Sequence, residues 1–261
     1  MRARAFALLL LLLVPFAASA AEPASVYIED LTWTELRDRI AAGTTIVIIP
    51  IGGTEQNGPH MAIGKHNVRV RVLSGKIAGA LGKAVVAPVL PYVPEGSIDP
   101  PSGHMRWPGT ISVPEDSFAK TIEYAARSFK QHGFRDIVFL GDHGSTQKGE
   151  EAVAKKLDRE WAATPVRVHA IVQYYEDGEA GFGKLLEGKG YPASEVGTHA
   201  GLADTSLTLA VAPDLVRTDR LKPGEGVNGD PSRSSAELGN FGVDAIVTRT
   251  VAAIREAIAR R

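Results

Sequence analysis

The chain has 261 residues, 44% of them hydrophobic and 23% charged, with a formal charge of −1 and no cysteine. That length supports a sizeable core, and the near-neutral charge argues against a nucleic-acid or anionic-membrane binder, which needs an excess of Lys and Arg. The absence of cysteine excludes disulfides, thiolate metal sites and cysteine nucleophiles, so any metal must be held by His, Asp or Glu.

Arg2 and Arg4 precede an unbroken apolar run from Ala5 to Val14, and Ala18-Ser19-Ala20 follows as a small-x-small cleavage signature. This reads as a secretory signal peptide over residues 1–20, and the run is short of the roughly 20 residues a membrane span needs. The competing reading is an uncleaved N-terminal anchor. Cleavage leaves one domain, residues 21–261, secreted or periplasmic and without a membrane segment. From there, short β-branched strings alternate with helical patterns. Thr45–Ile51 is expected as a buried strand, and Asn67 as the cap of a helix to Leu81 that Gly82 stops. Ala84–Leu90 reads as a second strand. A helix starts at Pro114 and runs to Gly133, with Phe118, Ile122, Ala125 and Phe129 at helical spacing. Asp136–Leu140 is the third strand, Gln147–Ala163 a helix and Val166–Val172 the fourth strand. Ala200–Val211 and Val243–Arg260 read as helices. Strands separated by helices give an α/β fold with a mainly parallel sheet.

Two stretches break the pattern, Gly52–His66 and Tyr92–Thr110. Loops of that length in compact domains are usually functional, and in parallel sheets ligands lie beyond the carboxyl ends of the strands. The first loop holds Glu55, His60 and His66, the turn after the third strand holds Asp142 and His143, and the second loop holds His104. The bland reading of any one of these histidines is a hydrogen-bonded structural residue; their gathering after strand ends points to a site. His199, at a helix start, is suited to acid–base work. Asp204 is either a site residue or a partner of the helix dipole.

The segment "PIGGTEQNGPHMAIGKHN", followed in order by "HMRWPGT", "GDHGSTQ", "THAGLADTS" and "GVNGDPSRSSAELG", resembles the motifs of the creatininase (creatinine amidohydrolase) family. The likeness runs from about Leu31 to the C-terminus. It implies a three-layer α/β/α fold, homo-oligomers that are often hexamers, and metal-dependent hydrolysis of small amides at a two-metal centre. Residue by residue, the glutamate ligand is kept as Glu55, the Gly-Pro-His histidine as His60, the Asn-Gly-His histidine as His143 and a later histidine as His199. Five positions depart. Asn57 stands where the family has a histidine ligand, and His66 where it has a metal-bridging aspartate. Ser145 falls on a glutamate ligand, and Leu202 and Asp204 fall on the two later acidic positions.

A neutral imidazole offers one lone pair and cannot bridge two cations. The expected centre is therefore a single divalent metal, zinc foremost and manganese as the alternative, held by Glu55, His66 and His143 with an open position for water. Asp142 is the alternative to Glu55 as ligand. His199 or Asp142 is expected to move the proton, and His60 to orient a ligand. His104, Trp107, Asn57, Ser145 and Asp204 are expected around the substrate. The expected activity is hydrolysis of a small amide, lactam or lactone, with creatinine itself disfavoured by the altered ligands. Two other readings remain: a metal-free descendant that only binds a ligand or partner, and a glycosidase-like pair of Glu55 and Asp142.

Overall fold

The computed structural model describes residues 25–260, so the signal-peptide reading lies outside it. Four strands, β1 (Ile46–Ile51), β2 (Ala84–Val86), β3 (Asp136–Gly141) and β4 (Arg167–Ala170), form one parallel sheet in the order β2-β1-β3-β4. The pleat divides the apolar residues between two cores. Val47, Ile49 and Ile51 of β1, with Ile137 and Phe139 of β3, pack on one face beneath helix α3 (Glu115–Gln131) and α4 (Gln147–Glu160). Ile48, Val138 and Leu140 face the opposite side, covered by α2 (Lys65–Leu81), α8 (Leu202–Val211) and α9 (Ala236–Ala259). This is the three-layer α/β/α arrangement that the family resemblance implied, built on the parallel sheet that the alternation of strands and helices implied.

The elements depart from expectation where side chains have another use. Helix α2 starts at Lys65, which places His66 and Asn67 in its first turn rather than in the loop. Asn67 does not cap it; its Oδ1 accepts the Gly53 N–H (3.1 Å) and its amide donates to Thr54 (3.1 Å), so it fastens the loop after β1. A Cβ at Gly52 would lie 2.1 Å from Asn67 Oδ1, so this approach needs glycine. Strand β2 ends at Val86, because Pro88 has no N–H for a ladder; Leu90 rejoins at an isolated bridge to Ile51. Helix α9 starts at Ala236, capped by Ser235, and contains Gly239 and Gly242. A Cβ on Gly239 would meet the Ser206 carbonyl of α8 at 1.9 Å, so these glycines serve close helix packing, not a helix end.

Two regions were not expected as helical: α1 (Trp33–Ala41), closed by a Thr32–Glu35 capping box, and the stretch after β4. The latter holds α5 (Gln173–Glu176), a π-helical turn (Asp177–Gly181) and α6 (Phe182–Gly188), followed by α7 (Ala193–Val196). Among the described residues, no helix is long and apolar enough to cross a membrane. The loop after β1 and the turn after β3 open on the same edge of the sheet, where Asp142 N–H donates to the Ile51 carbonyl (2.9 Å).

Candidate metal and active site

Beyond that edge lies a cleft of about 790 Å³, a size that suits a small molecule. Glu55, His66, His104, His143 and His199 form its base, and the unexpected helical stretch contributes Tyr175, Glu179, Lys184 and Glu187 to its wall.

Glu55 is fully buried and central. Its Oε1 lies 2.7 Å from His66 Nε2 and 3.7 Å from His199 Nδ1; its Oε2 lies 3.0 Å from His143 Nε2 and 3.1 Å from His104 Nε2. Burial raises the Glu55 pKa, but the bond from His143, the His66 ring and the Lys65 charge outweigh it and keep the carboxylate ionised. Two three-residue groups bring their donor atoms within 4.8 Å of one another, and both include Glu55. One adds His66 and His143, the other His104 and His199.

Hydrogen-bond partners orient the rings of both groups. Asp142 Oδ2 accepts from His66 Nδ1 (2.8 Å), which turns the His66 Nε2 lone pair toward Glu55. Ser145 N–H donates to His143 Nδ1 (3.2 Å), with the Ser145 hydroxyl 2.7 Å from the same nitrogen, so the proton of the neutral His143 ring sits on Nε2, facing Glu55. The other pair is organised by Gln56. Its Oε1 accepts the Gly58 N–H (2.8 Å), so its amide nitrogen donates to His104 Nδ1 (3.1 Å) and the His104 proton sits on Nε2, facing Glu55. The Gln56 carbonyl accepts from His199 Nε2 (2.9 Å), which leaves His199 Nδ1 an open acceptor. Burial, then the Lys65 charge, pushes His199 down to about 4, so it is neutral at pH 7; burial also lowers His104. The donor atoms of Glu55, His66 and His143 lie close enough to hold a divalent cation, which would take the place of the His143 Nε2 proton, while His104 and His199 are one hydrogen-bond donor and one acceptor beside it.

Behind this base lies a closed ionic network. Arg69 bonds Asp142 (2.9 Å) and pairs with Asp204; Lys65 pairs with the other Asp204 oxygen; Tyr174 donates to Asp142 Oδ1 (2.7 Å). Burial raises the Asp142 and Asp204 pKa values, but the Arg69 and Lys65 charges outweigh it and hold both acids below the usual range. Asp204 also accepts the N–H of Ala200 (2.8 Å), a non-glycine residue at φ 55°, and so fixes the backbone next to His199.

The structure brings Glu55, His66, His143, His104 and His199 together and puts the other expected site residues elsewhere. Asp142 stands behind His66 with both oxygens engaged, placed to orient that ring rather than to ligate a cation or shuttle a proton. His60 is buried and bonded to Thr205 (2.9 Å), and it does not line the cleft. Asp204 is consumed by its two cations. Asn57 is buried and braces its own loop through the Glu55 and Ala62 carbonyls (2.9 and 3.2 Å). Trp107 borders a neighbouring groove and donates to Glu225 (3.2 Å). Ser145 meets His143 from the side away from the cleft.

Three residues were missed. Gln56 and Arg69 carried no signal in the sequence beyond their nearness to motif residues. Glu95 is an acid in the second long loop, the region already marked by its length; its Oε2 lies 3.1 Å from His143 Nε2, and burial, with Glu55 nearby, pushes it up to about 8.

The family model described as creatinine amidohydrolase matches residues 29–254. The creatinine amidohydrolase of Pseudomonas putida is 28% identical over 202 residues, 76% of each chain. The 3-dehydro-scyllo-inosose hydrolase of Thermotoga maritima is 26% identical over 204 residues, and the chain spans 60% of that relative's length. A solved structure described as manganese creatininase superposes with a TM-score of 0.72 at 26% identity, covering 90% of this chain and 99% of its own.

Proposed function

The chain belongs to the creatininase family, and from that premise we propose that it is a metal-dependent hydrolase that cleaves a small polar amide, lactam or lactone. The observation that carries the reading is the convergence of the donor atoms of Glu55, His66 and His143 at the base of the cleft. Two imidazoles and one carboxylate form a recognised catalytic zinc set, and manganese is the alternative. When bound there, a divalent cation supplies polarisation of a carbonyl and activation of water near neutral pH. The remaining work falls to side chains. His199, neutral and with Nδ1 open, accepts a proton; the Nε2–H of His104 donates to developing negative charge; Gln56 holds both rings in those roles. Asp142 and Ser145 hold the His66 and His143 rings with Nε2 toward Glu55.

One cation per chain fits this arrangement, since His66 stands at the family's bridging position and a neutral imidazole offers one lone pair. The basic start and the apolar run to Val14 support an exported protein, and the family resemblance supports a homo-oligomer, hexameric in the simplest case. The test is metal content by inductively coupled plasma mass spectrometry after chelator-free purification, alongside turnover of a panel of small amides and lactones. About one zinc or manganese per chain is expected in the wild type and none in His143→Ala. A wild type that takes up no cation from zinc- or manganese-replete medium overturns the hydrolase reading and leaves a family member that only binds.

A further inference from the structure

Glu95 is the buried acid that the functional reading does not use. Its side chain is 0% exposed, and neither carboxylate oxygen has a hydrogen-bond donor among the described residues. Its close polar neighbour is His143 Nε2, 3.1 Å from Oε2, and that nitrogen already faces Glu55 at 3.0 Å. One ring N–H cannot serve two carboxylates, so at least one acid is left buried without a donor, a costly state that a cation relieves. The approach is built in: the Glu95 N–H is anchored on Ser112 Oγ (3.0 Å), and a Cβ at Gly53 would come within 2.8 Å of Glu95 Oε1. Glycine at position 53 leaves that space to the carboxylate.

We propose that Glu95 is a further protein ligand of the cation held by Glu55, His66 and His143; the proposal rests on the metal-hydrolase reading above. Ligand atoms about 2.0–2.2 Å from one ion lie roughly 2.9–3.5 Å from each other, and the 3.0 and 3.1 Å separations at His143 Nε2 fall in that range. Glu95 and Ser145 border the same groove on the far side of His143. A carboxylate that the family places two residues after this histidine is thus supplied here from another loop, with serine left to bond the ring. Two carboxylates and two imidazoles make a harder, more anionic site than the three-residue set. Such a site favours five- or six-coordinate manganese or zinc and still leaves a position open.

The test uses the full-length, metal-stripped protein titrated with Mn²⁺ and Zn²⁺ by calorimetry, and the same protein loaded with Co²⁺ for its visible spectrum. Glu95→Gln is expected to lose at least about tenfold in cation affinity. Its Co²⁺ absorption should intensify as the coordination number falls, and the metal-free variant should melt no lower than wild type. Wild-type affinity together with an unchanged Co²⁺ spectrum in Glu95→Gln overturns the proposal while leaving the three-residue site in place. Should Glu95→Gln fail to fold, Glu95→Asp is read in the same way, and unchanged affinity and spectrum again overturn it. If the wild type binds no cation, or if His143→Ala binds it equally well, the hydrolase reading falls first and takes this proposal with it.

Discussion

Two clusters of buried charge sit back to back in this molecule, and they are finished to different degrees. In the network of Lys65, Arg69, Asp142 and Asp204, every carboxylate meets a permanent cation and every cation a carboxylate. In the cluster of Glu55, Glu95, His66 and His143, two acids face ring nitrogens whose outer atoms are already engaged by Asp142 and Ser145. The first cluster is a closed structural unit; the second is short of one positive charge. The contrast shows how a buried ionic layer can orient a site: the closed network fixes the ring of His66 through Asp142 and the backbone beside His199 through Asp204.

Breaking the open cluster has the largest expected effect. His66→Ala removes a ligand, and cation affinity should fall by more than about a hundredfold, beyond what loss of a supporting bond costs; calorimetric titration reads it, and turnover should vanish in parallel. Breaking the closed network acts on folding instead. Arg69→Met strands Asp142 and Asp204 as buried acids and should destabilise the protein by about 3–5 kcal/mol in denaturant unfolding.

A fifth buried acid sharpens the comparison because among the described residues no cation bears on it, only bonds from Thr146 and Gly141. Glu150 lies against Gly141 at the end of β3, and burial pushes it up to about 7. The folded state therefore keeps the proton and the unfolded state releases it near 4.5. The stability this contributes is complete below about pH 4.5 and is lost as pH rises through 7. Glu150→Gln should match wild type at pH 4 and exceed it by about 3 kcal/mol at pH 8.5, from a shift of this size; melting temperatures across that range check the sign. The smallest effect is expected where the two clusters touch. Asp142→Asn frees the His66 ring without removing a ligand and should weaken cation binding about 10–100-fold.

The strands and their parallel arrangement followed from β-branched strings such as TIVIIPI and DIVFL, because burial on both faces leaves a continuous apolar run; the order β2-β1-β3-β4 did not. The helical stretch from Gln173 to Gly188 did not, since its short turns and Asp-Gly-Glu-Ala-Gly segment carry no helical period. For the site, the gathering of Glu55, His66 and His143 was legible from the family resemblance and from their place after strand ends. Supporting roles were not: whether Asp142 ligates or orients depends on which way its carboxylate points, and Asp204 looked available until Lys65 and Arg69 were seen to close on it. Glu95 was hidden for a related reason, as its partner His143 is 48 positions away and only the folded loops bring them together.

The most direct measurement is an anomalous difference map from crystals of the wild-type protein, collected at the zinc and manganese absorption edges. The account predicts one peak per chain, within about 2.3 Å of Glu55, His66 and His143 together. A peak between Glu55, His104 and His199, or no peak in metal-soaked crystals, contradicts it.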